Sequence, residues 1–138
     1  MTAQILLITD QPDIGRFWAY TLRQRGLVCT ESSPEEQLSR RKQSPWDAAI
    51  IDLYGRDTLP VQLCKTLHSR ADGPILLLWD AYDEASILKA YEAGAAEVVQ
   101  RPISPLLLTV KLAAWLRRTG ADLDDAESGL GRTADSGR

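Results

Sequence analysis

Histidine and cysteine are scarce in this chain. Its 138 residues include one histidine, His68, and two cysteines, Cys29 and Cys64, which form neither a CxxC motif nor a cluster with the histidine. Structural zinc sites need such clusters at short spacing, so the sequence does not support one. Two isolated cysteines are instead typical of buried thiols in a reducing compartment.

Long apolar runs are also missing. No run approaches the roughly 20 residues that a membrane-spanning helix needs. The chain begins Met-Thr-Ala-Gln and continues directly into an apolar strand, without the basic region that starts a signal peptide. We therefore expect a cytoplasmic protein that does not enter a membrane.

The chain has no excess of positive charge. Residues 1–120 carry 14 basic and 14 acidic side chains, whereas residues 121–138 carry two and five, so the net charge of −3 lies in this last segment. A neutral body has no basic field for a nucleic-acid backbone, and direct DNA binding by this segment is not expected. Gly, Ser, Asp and Ala dominate residues 119–138, which we predict to be a disordered acidic linker or tail.

Short apolar runs alternate with amphipathic helical segments through the rest of the chain. The five runs that predict strands are residues 5–8, 27–30, 48–52, 75–78 and 96–99. Because these runs are continuously apolar, we expect a parallel sheet that helices cover on both faces. With right-handed crossovers, residues 1–118 are predicted to be one doubly wound α/β domain, a (βα)5 three-layer sandwich.

Helical spacing indicates the apolar faces of the helices. These faces are Ile14, Phe17, Trp18 and Leu22 in the first helix, Ala85, Leu88 and Tyr91 in the helix from about Tyr82 to Ala93, and Leu108, Leu112, Trp115 and Leu116 in the last. The last helix also carries a second apolar stripe, Leu106, Val110 and Ala113, which Leu107 widens. Because contiguous exposed apolar patches usually mark interaction sites, we interpret these four residues as an interface.

Charged residues stand where the predicted strands end. Asp10 follows the first strand, Asp52 ends the third and Arg101 follows the fifth, while Trp79, the one tryptophan expected at this rim, ends the fourth. The carboxyl ends of parallel strands meet at one crevice, so these side chains should converge. Two close carboxylates repel unless a cation separates them, and Mg²⁺ suits such oxygen ligands. A carboxylate beside Mg²⁺ and a fixed cation is able to attack a phosphoryl group.

Five segments occur in the order and at the spacings of a known family. They are residues 5–13, with the first strand and Pro12; residues 46–53, which contain Asp52; residues 74–79, the predicted fourth strand; the Glu92-Ala93-Gly94-Ala95 turn; and Arg101-Pro102-Ile103-Ser104-Pro105. Through them, residues 5–118 resemble the receiver domain of two-component response regulators. The resemblance implies a flavodoxin-like fold, with Asp52 as the phosphoacceptor. It also implies Mg²⁺ bound by Asp10, Asp52 and the Tyr54 carbonyl, and a cis peptide bond before Pro102.

Five positions depart from the family's pattern. Thr9 replaces an acidic residue, Trp79 replaces a Ser or Thr that hydrogen-bonds the phosphoryl group, and Arg101 replaces a lysine. Val98 replaces an aromatic residue that moves with that hydroxyl, and a bulky Tyr54 follows Asp52 by two positions. We therefore expect weak Mg²⁺ binding and no ordinary switch, since a switch needs an element that phosphate biases. Arg101 still has paired N–H donors for a phosphoryl group, and the Trp79 indole has one.

The leading functional hypothesis is a signalling receiver that acts through protein contact, with phosphorylation at Asp52 weak or unused. Its partners would be a sensor histidine kinase, another signalling protein, or a second copy bound through the fourth helix, fifth strand and fifth helix. A second hypothesis is a phosphorylated receiver that couples by a non-standard route to an output domain beyond residue 138.

A hypothesis of another class is a small ligand-binding module on the same sheet, of the flavodoxin-like or cobalamin-binding kind. The segment Gln11-Pro12-Asp13-Ile14 is not a phosphate-binding loop, and His68 lies in an apolar-periodic helix rather than in a cobalt-binding loop. An independent enzyme is not expected, because no general base or nucleophile pair stands beyond Asp52.

Overall fold

Five parallel strands form one sheet, as the apolar runs predicted. This computed structural model describes residues 2–39, 45–55, 58–71, 73–80 and 83–120. The strands are β1 (Gln4–Thr9), β2 (Val28–Ser32), β3 (Ala48–Asp52), β4 (Ile75–Trp79) and β5 (Glu97–Gln100). Their order across the sheet is β2-β1-β3-β4-β5, and every neighbouring pair is parallel. This order places the point where the winding reverses between β1 and β3, which is where such sheets hold their sites.

Helices follow each of the strands. They are α1 (Pro12–Gln24), α2 (Pro34–Ser39), α3 (Leu59–Arg70), α4 (Glu84–Glu92) and α5 (Pro105–Thr119). Proline lies in the first turn of α1, α2, α3 and α5, where its missing N–H costs no intrahelical hydrogen bond. The side chains of Asp83 and Ser104 cap α4 and α5 by accepting from the backbone N–H groups of Ser86 and Leu107.

Some predicted boundaries fall outside the described residues. The predicted start of α4 at Tyr82 is one of them, and α4 begins at Glu84. Of the predicted tail 119–138, Thr119 is the last residue of α5 and Gly120 is its C-cap with φ of 81°, whereas residues 121–138 lie beyond the described part. Within that part, no helix is long and apolar enough to span a membrane.

Two apolar clusters, one on each face of the sheet, form the core. The cluster beneath α1 and α5 includes Leu7, Leu22, Ile50 and Leu112, and the cluster beneath α3 and α4 includes Ile8, Ile51, Leu63 and Leu67. Successive strand residues point to opposite faces, which is why Ile50 and Ile51 fall in different clusters. Cys29 and Cys64 are free and buried, one in each cluster, and burial raises their pKa to about 11 and about 12, respectively.

Not every apolar helix position faces the core. Phe17 is 51% exposed, and on α4 both Leu88 and Tyr91 face solvent while Ala90 is buried. The fully buried residue of α4 is the small Ala90, whereas Leu88 and Tyr91 remain on the outside and Ile87 is half-buried. Trp115, predicted as a core residue, is half-buried, and its Nε1 donates a hydrogen bond to Oε1 of Glu97 at 2.9 Å.

The predicted apolar stripe of α5 is shorter than expected. Leu106, Leu107 and Val110 are 52%, 48% and 43% exposed, but Ala113 is 1% exposed and does not belong to the surface patch. Ala113 stands one turn after the fully buried Thr109, at the edge of the packed face of the helix. Its short side chain is covered there, so the prediction that Ala113 is an interface residue was wrong.

Candidate functional site

The carboxyl ends of the strands bring the predicted site residues to one rim of the sheet. Thr9 at the end of β1 is paired with Asp52 at the end of β3, and Asp10 follows Thr9 directly. Arg101 follows β5, and its backbone nitrogen donates to the carbonyl oxygen of Trp79 at 3.3 Å. The Arg101–Pro102 peptide bond is cis, as the resemblance implied. Asp10, Asp52 and Arg101 therefore occupy one crevice.

Asp52 is buried, and both of its carboxylate oxygens have partners. Its residue exposure is 0%. Oδ1 forms an ion pair with Nη1 of Arg101. Oδ2 accepts a hydrogen bond from Nε1 of Trp18 at 3.0 Å and lies 3.4 Å from the hydroxyl oxygen of Tyr54. The carboxylate is thus enclosed by one cation and two neutral donors.

The guanidinium of Arg101 connects the elements of this rim. Nη2 donates to the carbonyl oxygen of Leu53 at 2.7 Å, and Nε and Nη2 donate to the two carboxylate oxygens of Asp80 at 3.1 and 3.0 Å. Its Cζ lies 3.8 Å from the centre of the Tyr54 ring, a cation–π contact. A planar fork with five N–H donors makes these contacts simultaneously, which a lysine ammonium does not. The Arg101 guanidinium therefore bridges Asp52 and Asp80, and the Tyr54 ring covers one of its faces. We call this arrangement the Arg101 clamp.

Burial and pairing act against each other on the charges of the site. Burial raises the pKa of Asp52, although the Arg101 guanidinium and the donors on Trp18 and Tyr54 act in the opposite direction. Burial also disfavours the charge on Arg101, but Asp80 and Asp52 outweigh it, and the pKa of Arg101 is raised. Both directions follow from the geometry, because Asp52 is fully enclosed whereas Arg101 has a carboxylate on each side. The hydrogen bonds from Arg101 lower the pKa of the exposed Asp80.

The residues predicted to bind Mg²⁺ lie at this rim, where Asp10 follows β1, Asp52 ends β3 and Tyr54 follows β3. Oδ1 of Asp10 lies 3.4 Å from the backbone nitrogen of Tyr54. In the part of the chain that the structure describes, no three His, Cys, Asp or Glu side chains are grouped as a metal site requires. Mg²⁺ binds carboxylate and carbonyl oxygens, but here the Asp52 oxygens are directed at Arg101 and Trp18. Asp10, Asp52 and the Tyr54 carbonyl supply oxygen atoms of the kind that Mg²⁺ binds, and an ion there would compete with Arg101 for Asp52.

Trp79 is placed differently from its predicted role at the phosphoryl position. Its side chain is half-buried, packs against the core cluster beneath α3 and α4, and lines a cavity between these two helices. Toward Arg101 it presents its backbone carbonyl oxygen. The indole donor at this rim comes instead from Trp18, so the prediction that Trp79 is the one tryptophan at the rim was wrong.

Two residues of the site, Trp18 and Asp80, were missed by the sequence reasoning. Trp18 lies on the buried face of α1, as a packing residue should, yet its indole N–H also reaches Asp52. Asp80 follows β4 directly and binds Arg101. An acidic residue just after a strand was the signal that singled out Asp10, and the same signal identifies Asp80.

Comparison with known proteins identifies relatives among bacterial regulators. No family model matches the chain. The transcriptional regulatory protein BaeR of Escherichia coli is 30% identical over 134 residues, which are 94% of this chain and 56% of BaeR. The phosphate regulon transcriptional regulatory protein PhoB of Pseudomonas aeruginosa is 28% identical over 134 residues, 92% of this chain and 57% of PhoB. The chain spans about half the length of the curated relatives it matches.

Solved structures share the fold. A two-component response regulator from Clostridium difficile superposes with a TM-score of 0.77 at 22% identity, over 87% of this chain and 100% of that one. The receiver domain of the sensor histidine kinase PA1611 from Pseudomonas aeruginosa, with a magnesium ion coordinated in its active-site cleft, gives a TM-score of 0.69 at 20% identity. That match covers 85% of this chain and 99% of the other.

The sheet order and the helices on both faces define a flavodoxin-like (βα)5 domain. The chain is a receiver domain of two-component response regulators. As such it is a signal-transduction module rather than an enzyme of the usual kind.

Proposed function

We propose that this receiver acts mainly through protein contact and that Asp52, its phosphoacceptor by resemblance, accepts phosphate poorly. The observation that carries this proposal is the enclosure of Asp52, which is 0% exposed and has Arg101 on one oxygen and Trp18 on the other. A carboxylate that attacks phosphorus must bring an oxygen lone pair to the donor. Here the ion pair would first have to open, with Asp52 left buried and without its cation.

The same enclosure supports weak Mg²⁺ binding. The receiver domain of PA1611 is described with a magnesium ion in its active-site cleft. In this chain Asp10, Asp52 and the Tyr54 carbonyl are the candidate ligands, while Thr9 stands where the family has a second acidic side chain. The Arg101 guanidinium already forms an ion pair with one Asp52 oxygen. We therefore expect Mg²⁺ to compete with Arg101 rather than to enter a prepared site.

The surface that we assign to protein contact is formed by α4, β5 and α5. Leu88 and Tyr91 on α4, and Leu106, Leu107 and Val110 on α5, are each at least 43% exposed. Exposed apolar side chains are normal singly, but five on adjoining elements are typical of an interaction surface.

The strand edge between these helices is already closed to further pairing at one position. β5 is the last strand of the sheet, and the backbone nitrogen of Val98 donates to the hydroxyl oxygen of Tyr91 at 3.0 Å. An edge strand with a free N–H would invite strand addition. Because Tyr91 uses this N–H, a partner is more readily bound through side chains of α4 and α5 than by extending the sheet.

We propose that the occupant of this surface is a second copy of the chain, bound without phosphorylation. The test is sedimentation at tens of micromolar protein, with and without acetyl phosphate and Mg²⁺. The wild type and Asp52→Ala are expected to associate equally under both conditions. Leu106→Glu/Val110→Glu is expected to be monomeric, because it places two charges in the apolar patch.

The matched control is Phe17→Glu/Tyr20→Glu, which adds the same charges to exposed apolar positions on α1. It should associate like the wild type. A wild type that is monomeric under both conditions would rule out self-association, and association that requires the phosphodonor and is lost in Asp52→Ala would show an ordinary phosphate-driven receiver.

A further inference from the structure

A cavity of about 470 Å³ opens between α3 and α4, beside the end of β4. Its size falls in the range of small-molecule sites, about 300 to 1,000 Å³. It lies on the α3 and α4 face of the sheet, whereas Trp18 reaches Asp52 from α1 on the other face. Neither Asp52 nor the residues that enclose it, Arg101, Trp18 and Tyr54, are among the described lining residues, and the proposed role of Asp52 does not use the cavity.

The side chains around this cavity combine one aromatic ring with two cations. The half-buried Trp79 lines the cavity, as do two exposed lysines from different helices, Lys65 of α3 and Lys89 of α4. Thr58 and Ser86 also line it, and the Ser86 hydroxyl donates to the Asp83 carboxylate at 2.7 Å. The seven described residues that line the cavity include no acidic side chain.

This combination is selective for one chemical class of ligand. An aromatic side chain in a mostly apolar cavity favours a ligand with a flat ring, because stacking buries the ring face of the ligand and that of the side chain. Two ammonium groups favour an anionic group, and ammonium is a common partner of phosphate.

We propose that the cavity between α3 and α4 binds a small planar anion of the nucleoside monophosphate kind. Its ring lies against Trp79, and its acidic group is held between Lys65 and Lys89. Such a ligand would give this receiver a chemical input that does not pass through Asp52. Trp79, which the ring would contact, directly precedes Asp80, whose exposed carboxylate is paired with Arg101.

The experiment is calorimetric titration of the full chain with adenosine 5′-monophosphate and guanosine 5′-monophosphate, each compared with adenosine and with inorganic phosphate. At least one nucleotide is expected to bind about tenfold or more tightly than either part alone, because ring and anion contacts both contribute. Tryptophan fluorescence should change when the nucleotide binds to the wild type. This change should be lost in Trp79→Phe, and calorimetry measures the nucleotide affinity of that variant.

Variants of the two lysines locate the site. Lys65→Gln/Lys89→Gln should weaken nucleotide binding about tenfold or more, since each lost charge removes a charge-assisted contact. Lys65→Arg/Lys89→Arg keeps the charges and should retain binding. Arg16→Gln/Arg25→Gln, which removes two positive charges from the α1 region and away from the cavity, controls for net charge, and thermal unfolding confirms that each variant is folded.

Three results would overturn this proposal. One is no heat from either nucleotide at millimolar concentration. Another is inorganic phosphate binding as tightly as the nucleotides, which would show a lysine pair without a ring site. The third is undiminished nucleotide binding by folded Lys65→Gln/Lys89→Gln.

Discussion

Nε1 of Trp18 lies 3.0 Å from Oδ2 of Asp52, a hydrogen bond between the buried face of α1 and the end of β3. Trp18 belongs to the core cluster beneath α1 and α5 and is 6% exposed. A change at Asp52 is therefore felt directly by a core side chain. This contact gives the rim a connection into the core that does not depend on Trp79 or Val98.

The connection predicts a measurable coupling between the two residues. Trp18→Phe keeps an aromatic ring but removes the donor, and we expect it to lower the free energy of unfolding by about 1 to 2 kcal/mol. In an Asp52→Ala background the same change should cost less, because the acceptor is already gone. Urea unfolding of the two single variants and the double variant gives the coupling energy. Strictly additive effects would show that Trp18 is a packing residue only.

A second prediction concerns the cation of the site. Arg101→Gln is expected to lower the free energy of unfolding by about 3 kcal/mol at neutral pH, because it leaves the buried Asp52 carboxylate without its cation. Asp80→Asn removes the exposed partner of the same guanidinium and should cost less than about 1 kcal/mol. Equal losses in the two variants would contradict the clamp that we assign to Arg101.

The cost of Arg101→Gln should also depend on pH. The pKa of Asp52 is raised in the folded protein, so the folded state binds this proton more tightly than the unfolded state. Stability from this group is therefore greatest below the unfolded pKa, about 4, and is lost as the pH rises through the folded pKa. Without Arg101 the folded pKa rises further, so the deficit of Arg101→Gln should shrink on acidification. If the stability difference between Arg101→Gln and the wild type were the same at neutral pH and at about pH 4, the ion pair with Asp52 would not be its cause.

A third prediction concerns Glu97, which fastens α5 to β5. Its carboxylate accepts from Nζ of Lys111 at 2.6 Å and from Nε1 of Trp115 at 2.9 Å. Burial disfavours the charge, but these two hydrogen bonds outweigh it and lower the pKa of Glu97. Stability from a lowered carboxyl pKa is present above the unfolded pKa and is lost as the pH falls through the folded one.

Glu97→Gln should accordingly lower the free energy of unfolding by about 1 kcal/mol at neutral pH. The difference from the wild type should shrink on acidification, as the pH falls through the lowered folded pKa of Glu97 and its carboxylate becomes protonated. Glu92→Gln, at an exposed position at the end of α4, is the matched control and should have little effect. An equal loss at neutral and at acidic pH would show that the charge of Glu97 plays no part.

The fold was predictable because its signals are local. Continuous apolar runs such as Ile5 to Ile8 mark buried strands, and proline at positions such as Pro12 and Pro105 marks helix starts. The face of α4 was harder to predict, because that helix packs through Ala90 while Leu88 and Tyr91 remain outside. Periodicity describes which side chains share a face, but not whether that face meets the sheet.

The site was predictable where chain position decides it. Asp10, Asp52 and Arg101 each end or follow a strand, and parallel strands bring their ends together. Contacts that depend on side-chain direction were not predictable. The indole of Trp18 crosses from α1 to Asp52, whereas the indole of Trp79 points between α3 and α4. Spacing in the sequence places Trp18 on a helix and Trp79 at a strand end, but it does not indicate which of the two indoles reaches Asp52.

If Arg101 and Tyr54 enclose Asp52, then loosening them should expose it. Arg101→Lys/Tyr54→Ala keeps a cation but removes the forked clamp and its aromatic cover. With acetyl phosphate and Mg²⁺, this variant is expected to gain one phosphoryl group faster than the wild type. The gain should be absent when Asp52→Ala is added. An unchanged rate in a folded double variant would mean that some other feature limits access.

The most direct measurement is the intact mass of the wild-type protein after incubation with acetyl phosphate and Mg²⁺, followed over time beside Asp52→Ala. If Asp52 is enclosed by Arg101, Trp18 and Tyr54, the wild type should gain little or no mass over the period in which Arg101→Lys/Tyr54→Ala is phosphorylated. Rapid addition of one phosphoryl group to every wild-type molecule, absent in Asp52→Ala, would contradict it.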